Sequence, residues 1–350
     1  MNHRERGLAC LGFRPTDRCA CDYSAHGEVT RALIARLGMS DEDALLEAFG
    51  VDFRHFGWGG GGWSDPDPKG WRRDLWGVRL RTEPPTGWDV AERAYPFHET
   101  DTPADVERYP WPQPEDVPID RVGLRQRMAA ARERYVVVGV PWCPFFHEVG
   151  RVMPQEEYFM AMFTNPTLVH AVTERIVGYF IALTRRYLDA VGDLADVVAY
   201  GNDFGTQRGL FIGPEQWNTF VRPYLKRFYD LAHAYDLRAF QHSCGAVREL
   251  IPALIQDGLN ILDPIQTAAT DMKLDGLLRD FGGRLVFHGG VDTQEVLPFG
   301  SADDVRRIVR DYRNWSRRSS GYILASSQAY LKDIPLDNII AVYEENRAIG

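Results

Sequence analysis

The chain has 350 residues, 45% of them hydrophobic and 12% aromatic, which is material for one large core or two average domains. A formal charge of −9 argues against the basic face that nucleic acid requires, so a small molecule is the expected partner. No stretch approaches the roughly 18 consecutive apolar residues of a membrane span, and residues 1–12 lack an apolar core of signal-peptide length, so a cytoplasmic location off the membrane is expected. The five cysteines (Cys10, Cys19, Cys21, Cys143 and Cys244) are an odd, scattered set that suits reduced thiols better than a disulfide framework. Only four residues are lysine (Lys69, Lys226, Lys273 and Lys332) and none falls in a recognisable strand, which disfavours Schiff-base chemistry.

In chain order, Cys19–Tyr23 reads as a first strand, followed by helical stretches at Val29–Leu37 and Asp41–Phe49 and a second strand at Val51–His55. Residues 57–118 form a long Trp-, Gly- and Pro-rich excursion with a flexible run at Gly59–Gly62. A structureless loop of that length is unusual, so hairpins are expected within it, around Trp76–Arg81, with the whole serving as a lid or as a contact in a homodimer. Six further strands follow at Val136–Val140, Val197–Tyr200, Arg238–His242, Ile261–Asp263, Arg284–His288 and Tyr322–Ala325. Helices alternate with them. One opens at Asn165-Pro166 and ends at Gly192. Another opens at Gly213-Pro214, with Pro223 expected to kink it. A third is capped by Ser301 and Asp304, and the last runs from about Leu336 to Ala348. Eight strands alternating with helices predict an α/β fold, a (β/α)8 TIM barrel in one domain spanning 1–350, with N-terminal elaborations and a long insertion between strands two and three.

Sites in such barrels sit at the C-terminal ends of the strands, and this chain places polar residues after nearly every one. They are Asp22 and Tyr23, then Arg54 and His55, then Trp142, Cys143 and His147. Later come Asn202, Asp203, Thr206 and Gln207, then His242 and Cys244, Gln266, His288 with Asp292, and Ser326 to Gln328. In His242-Ser243-Cys244-Gly245, side chains two apart on an extended chain point the same way, so imidazole and thiolate can share an ion such as zinc. The plainer reading is a buried cysteine beside a hydrogen-bonded histidine at a glycine turn. Asp203 is the acid–base or substrate-orienting candidate, with a turn-forming aspartate as its alternative. His288-Gly289-Gly290 reads as either an anion-binding backbone or a flexible loop, and Cys143 with His147 as a weak nucleophile–base pair.

The stretches Phe240-Gln241-His242-Ser243-Cys244-Gly245, Leu262-Asp263-Pro264-Ile265-Gln266 and Phe287-His288-Gly289-Gly290-Val291-Asp292-Thr293-Gln294 resemble the uroporphyrinogen decarboxylase superfamily. So do Pro15-Thr16-Asp17-Arg18, Gly50-Val51-Asp52-Phe53-Arg54 and Ile334-Pro335-Leu336-Asp337-Asn338, and only the insertion falls outside the likeness. The resemblance implies a (β/α)8 barrel. It lies nearer the corrinoid-dependent methyltransferase-like branch than the porphyrinogen decarboxylases, whose N-terminal R-Q-A-G-R motif is missing here. In that branch an H-x-C motif and a later cysteine hold zinc. His242 and Cys244 match the first part, whereas the position after strand eight reads Ala325-Ser326-Ser327-Gln328, so a carboxylate such as Asp203 is the available replacement.

The leading expectation is therefore methyl transfer at a metal-activated thiol or leaving group. His242 and Cys244 hold the metal, Asp203, His242 and Asp292 do the chemistry, and Asp22, Tyr23, Arg54, Gln207, Gln266, His288 and Gln328 bind substrate. A corrinoid carried on a partner protein is implied as methyl source. The alternatives are a metal-independent decarboxylase or lyase with Arg54 as anion clamp, and a non-catalytic partner of a corrinoid protein.

Overall fold

The structure is a computed structural model that describes residues 1–58, 64–65, 67–82, 90–100, 102–318 and 321–348. Its strands are β1 (Ala20–Cys21), β2 (Phe53–Gly57), β3 (Trp71–Arg73), β4 (Arg79–Thr82), β5 (Val90–Arg93), β6 (Val136–Trp142), β7 (Val197–Gly201), β8 (Arg238–His242), β9 (Ile261–Ile265), β10 (Val286–Val291) and β11 (Tyr322–Ser326). Eight of them form one parallel sheet in the order β1-β11-β10-β9-β8-β7-β6-β2, curled as a (β/α)8 barrel with helices outside it. All eight expected strands lie in this sheet.

Alternation along each strand sorts the side chains into two layers. Ala20, Phe53, Val136, Val138, Val197, Ala199, Phe240, Ile261, Val286 and Ile323 form one apolar cluster inside the barrel, closed at its N-terminal end by Cys10 and Leu11 of the helix His3–Leu11. The intervening residues Val137, Val198, Leu262, Phe287 and Leu324 pack outward in the larger cluster shared with the helices. One step up each strand, the same inward parity carries Asp22, His55, Trp142, Gly201, His242, Asp263, His288 and Ala325. The mouth is thus polar where the inward positions at or near the strand ends change from apolar residues to Asp22, His55, His242, Asp263 and His288.

β1 and β2 are the two ends of the ladder, and their seam is held by Asp52. Its backbone N–H donates to the Cys21 carbonyl (2.9 Å), and its fully buried carboxylate accepts from Cys21 N–H (2.9 Å), Arg6 (2.9 Å) and Arg18 (3.0 Å), with His3 Nδ1 at 2.9 Å. A carboxylate here does the work of a missing strand-to-strand ladder.

The structure refines several boundaries. β10 begins two residues later than expected and continues through Gly289 and Gly290, because Arg284 closes a turn onto Phe281. The two glycines are therefore neither an anion nest nor a flexible loop. Both positions have φ of +103°; a Cβ on Gly289 would lie 3.0 Å from the Ile265 backbone nitrogen, so that glycine lets β10 press on β9, while a Cβ on Gly290 would lie 3.3 Å from Tyr312 and Tyr322. The helix at Gly213-Pro214 is two helices, Pro214–Phe220 and Arg222–Ala234, broken at Val221 ahead of Pro223. Ser301 and Asp304 form the expected reciprocal cap. All five cysteines are free.

The excursion contains the antiparallel sheet β3-β4-β5, with its first hairpin turning at Asp74–Gly77. Trp76 at that turn is fully buried. It packs edge-on against Tyr179 and Phe180 of the helix Pro166–Val191 and donates its indole N–H to Glu148. Gly59–Gly62 lies outside the described residues.

Replacing Asp52 with alanine leaves two arginines facing a void at the seam, and should cost about 3–5 kcal/mol of stability by the usual penalty for breaking a buried ion pair. Urea denaturation of Asp52→Ala checks this. Asp52→Asn, which keeps an acceptor for Cys21 N–H, should lose less.

Candidate functional site

A cavity of about 1330 Å3 opens at the barrel mouth, lined there by Asp22, His55, Trp142, His242, Asp263, His288 and Gln328. Its polar wall is one continuous chain of alternating imidazoles and carboxylates. His242 Nδ1 lies 2.6 Å from one oxygen of Asp263, and His288 Nδ1 lies 2.5 Å from the other. His288 Nε2 is 3.2 Å from Asp22, whose same oxygen is 2.7 Å from Nε2 of the exposed His55. Strand register makes this possible, since His242 pairs with Asp263 across β8 and β9, and β10 brings His288 alongside.

With Nδ1 anchored on Asp263, His242 turns Nε2 toward a second group. Nε2 is 3.3 Å from Cys244 Sγ and 3.5 Å from Asp203 Oδ1. The Asp203 carboxylate also accepts from Cys244 N–H (2.8 Å), and its backbone N–H donates to His147 Nε2 (2.8 Å). The three donor atoms of Asp203, His242 and Cys244 all lie within 4.8 Å of one another. Gln328 donates to Cys244 Sγ at 2.9 Å, so the residue following β11 reaches this cluster with an amide. The indole of Trp142 leans on His242 with ring centroids 5.1 Å apart.

The two edges that meet at His242 Nε2 are close to those of a tetrahedral ion. Zinc bonds of about 2.3 Å to sulfur and 2.0–2.1 Å to nitrogen or oxygen imply donor-to-donor edges of roughly 3.4–3.6 Å. A histidine ligand whose other nitrogen is held by a buried carboxylate is also the usual second-shell arrangement at such ions.

Burial and charge set the protonation. For Asp263, burial would raise the pKa, but positive His288 and the hydrogen bonds from both histidines hold it well below the usual carboxylate range. Asp22 is held down in the same way by His55 and His288, and Asp203 by hydrogen bonds with His147 and His242 against its own desolvation. Desolvation would lower both inner histidines, yet their carboxylate partners outweigh it. His242 is raised well above its ordinary value and His288 is raised to about 9. Burial pushes the Cys244 thiol up while His242 pulls it down.

The other expected site residues divide. Tyr23 and Arg54 line the cavity. The Tyr23 hydroxyl is engaged with Thr30 (3.0 Å), and Arg54 lies on the outward parity of β2 with its guanidinium 3.8 Å over the Tyr135 ring. Gln207, Gln266 and Asp292 do not line the cavity, and neither do Asp203 and Cys244, which reach it only through His242 and Gln328. Gln266 accepts from Gly245 N–H (2.7 Å), Asp292 caps the backbone N–H groups of Gln294, Glu295 and Val296, and Gln207 is exposed with its carbonyl taken by Thr270. Cys143 is buried beside Thr184 (3.2 Å) with its thiol raised to about 12, while His147 serves Asp203, so the two form no nucleophile–base pair. No described residue of 57–118 other than Gly57 itself belongs to a strand that borders the cavity, and none lines it. Asp263 was not singled out from the sequence, and His55 was noted at its strand end without a role. The usable signal was parity, because each stands two residues after an inward apolar residue, Ile261 or Phe53.

Because His288 is raised in the folded state, its contribution to stability is complete below the unfolded value near 6.5 and is lost as pH rises through about 9. Thermal or urea unfolding across pH 6 to 9.5 should show stability falling with pH, and His288→Gln should flatten that slope.

The uroporphyrinogen decarboxylase (URO-D) family model matches residues 91–349. Among solved structures, a methyltransferase from Methanosarcina mazei superposes with a TM-score of 0.65 at 14% identity, covering 99% of this chain and 98% of that one. Xylanase B from Clostridium stercorarium F9 gives a TM-score of 0.39 at 10% identity over 69% of this chain and 86% of that one. The 3-keto-D-glucoside 4-epimerase YcjR from E. coli gives 0.35 at 13% over 62% and 80%. No curated protein sequence matches the chain, and no helix among the described residues is long and apolar enough to cross a membrane. The first of these likenesses supports the barrel from end to end. With the family model spanning well over half the chain and the mouth built as described, the chain belongs to the uroporphyrinogen decarboxylase family.

Proposed function

We propose that the protein is an enzyme that transfers a methyl group at a zinc ion held by Asp203, His242 and Cys244. The observation that carries this reading is the convergence of those three donor atoms around His242, which itself lines a large cavity. The solved methyltransferase with the same fold supports it, as does the H-x-C motif. Zinc bound there would act as a Lewis acid that lowers the pKa of a substrate thiol or polarises a leaving group. The residues have separate tasks. Asp263 fixes the His242 ring, Cys244 N–H fixes the Asp203 carboxylate, and Trp142 covers the imidazole. Gln328 stands where the resemblance has a cysteine, so its amide touches the thiolate and adds no anionic sulfur. The implied methyl source is a corrinoid on a partner protein, approaching at the mouth.

A second reading, decarboxylation or another lyase reaction of a small carboxylated substrate without metal, draws on the chain from His242 to His55, which links the cavity to an exposed imidazole and can carry a proton.

Metal analysis of protein prepared without chelators should find zinc, which Cys244→Ser and Asp203→Asn each lose. Neutral donors stabilise zinc less than thiolate does, so Gln328→Cys should tighten binding by at least about tenfold. Zinc absent from the wild type, with activity unchanged in Cys244→Ser, would move the assignment to the lyase.

Metal loading should also release protons. His242 is protonated well above its ordinary range and Cys244 is pushed up by burial, so both must lose a proton to ligate. Zinc affinity should therefore rise steadily with pH between about 6 and 8, read by competition with a chromogenic chelator.

A further inference from the structure

A second cavity, of about 60 Å3, lies at the opposite end of the barrel from the mouth, against Tyr322 at the start of β11 and Cys19 just ahead of β1. One wall is the segment Arg14–Arg18 that leads from the first helix into β1, and the other is the end of the helix Ala302–Arg318. Its charged lining is Arg14, Arg18, Arg313 and Arg317, and no aspartate or glutamate lines it among the described residues. That is a one-signed cavity in a chain of net charge −9. A water needs roughly 10–15 Å3 of such space, so there is room for an ion of several heavy atoms.

The four arginines fall into two pairs. Arg18 and Arg313 are the inner pair, mostly buried, and their Nη atoms are committed. Arg18 holds Asp52 and the Gly50 carbonyl, and Arg313 holds the carbonyls of Glu345 and Ala348. Their charge is not cancelled, because Asp52 is shared with Arg6 and Glu345 with Arg310. Asp17 is likewise divided between Arg6 and the α-amino group. Arg14 and Arg317 are the outer pair. Both are exposed, and neither they nor the Thr16 hydroxyl has an ion-pair or hydrogen-bond partner among the described residues. Burial raises the Cys19 thiol, whereas Ser316 and the charges of Arg18, Arg313 and Arg317 pull it down, so three positive fields meet at this cavity. A helix C-terminus attracts cations, which accounts for Arg313 and Arg317 but not for Arg14 and Arg18, which come from another segment.

We propose that this cavity is a phosphate site, taking either the free ion or the terminal group of a phosphate monoester. Arg14, Arg317 and Thr16 donate to its oxygens, and Arg18 and Arg313 supply a fixed positive field. Guanidinium groups suit the task because their planar N–H donors match the oxygens of phosphate. Bound there, the ion ties the segment before β1 to the end of the helix before β11, and so braces the base of the barrel from both ends of the chain. The site is separate from Asp203, His242 and Cys244 and does not depend on the metal reading.

Isothermal titration of the full chain at low ionic strength with inorganic phosphate, and with nitrate as a singly charged control, tests the proposal. Phosphate should bind at least about tenfold more tightly than nitrate, and the double variant Arg14→Gln, Arg317→Gln should weaken it by about ten- to hundredfold. Both side chains are exposed, so the melting temperature of that variant without phosphate should stay within about 2 °C of the wild type. Thr16→Asp, which keeps all four arginines and adds a carboxylate to the lining, should weaken phosphate comparably. Arg134→Gln, in the lining of the mouth cavity, should leave it within about twofold. Glycerol phosphate binding as tightly as phosphate would assign a monoester, and binding at least about tenfold more weakly would assign the free ion; both keep the site. Equal binding of phosphate and nitrate, or wild-type phosphate affinity in the double variant or in Thr16→Asp, would overturn the proposal.

Discussion

The Asp263 carboxylate, shared between two imidazoles, is the interaction on which the mouth of this barrel depends. One oxygen holds His242 and the other holds His288, at 2.6 and 2.5 Å. Neither histidine could carry charge at its depth without it, because an unpaired buried cation costs several kcal/mol. The same contact fixes which nitrogen of His242 faces Asp203 and Cys244, so ring orientation follows from a residue on a neighbouring strand. Asp22 repeats the device for His288 and His55. Two carboxylates thus organise three histidines on three strands, and each inner member is restrained by two neighbours. Only the ends of the chain are free to answer to a ligand or to solvent.

Much of this was legible in the sequence. The β-branched runs and their punctuation located all eight barrel strands, and His242, Cys244 and Asp203 stood out by residue type at strand ends. What could not be read was direction. Asp292 and Gln266 follow strands as His242 does, but Asp292 turns back to cap three backbone N–H groups and Gln266 accepts from Gly245, which satisfies buried donors instead of facing the cavity. Asp263 was hidden by the opposite error. It sits inside an apolar run before Pro264 and reads as a strand terminator, and only its parity with Ile261 shows that it points inward. Arg54 has the contrary parity, which places it outside the barrel although it belongs to a barrel strand.

The elaborations do structural work that the repeat leaves undone. The first helix fills the N-terminal end with Cys10 and Leu11 and delivers Arg6 to the seam, so the charges on Asp52 are neutralised by a segment outside the βα alternation. The excursion anchors through Trp76 against Tyr179 and Phe180, on the long helix well away from the cavity wall. An indole buried at a hairpin turn gives a three-stranded sheet a fixed footing that its own small area could not supply.

Trp142 and Gly201 act as a matched pair. Trp142 and Cys143 both adopt positive φ, at +66° and +45°, a conformation that side-chain-bearing residues take only under constraint. The bend throws the indole across the end of β7, where a Cβ on Gly201 would lie 2.3 Å from it. The ring occupies the space that the missing side chain vacates, with 42% of its surface open. The aperture above His242 is consequently set by a flat aromatic shutter hung on one strand and recessed into the next. Any larger residue at Gly201 would tilt that shutter and change which molecular shapes can descend to the imidazole, with every polar group of the mouth left in place.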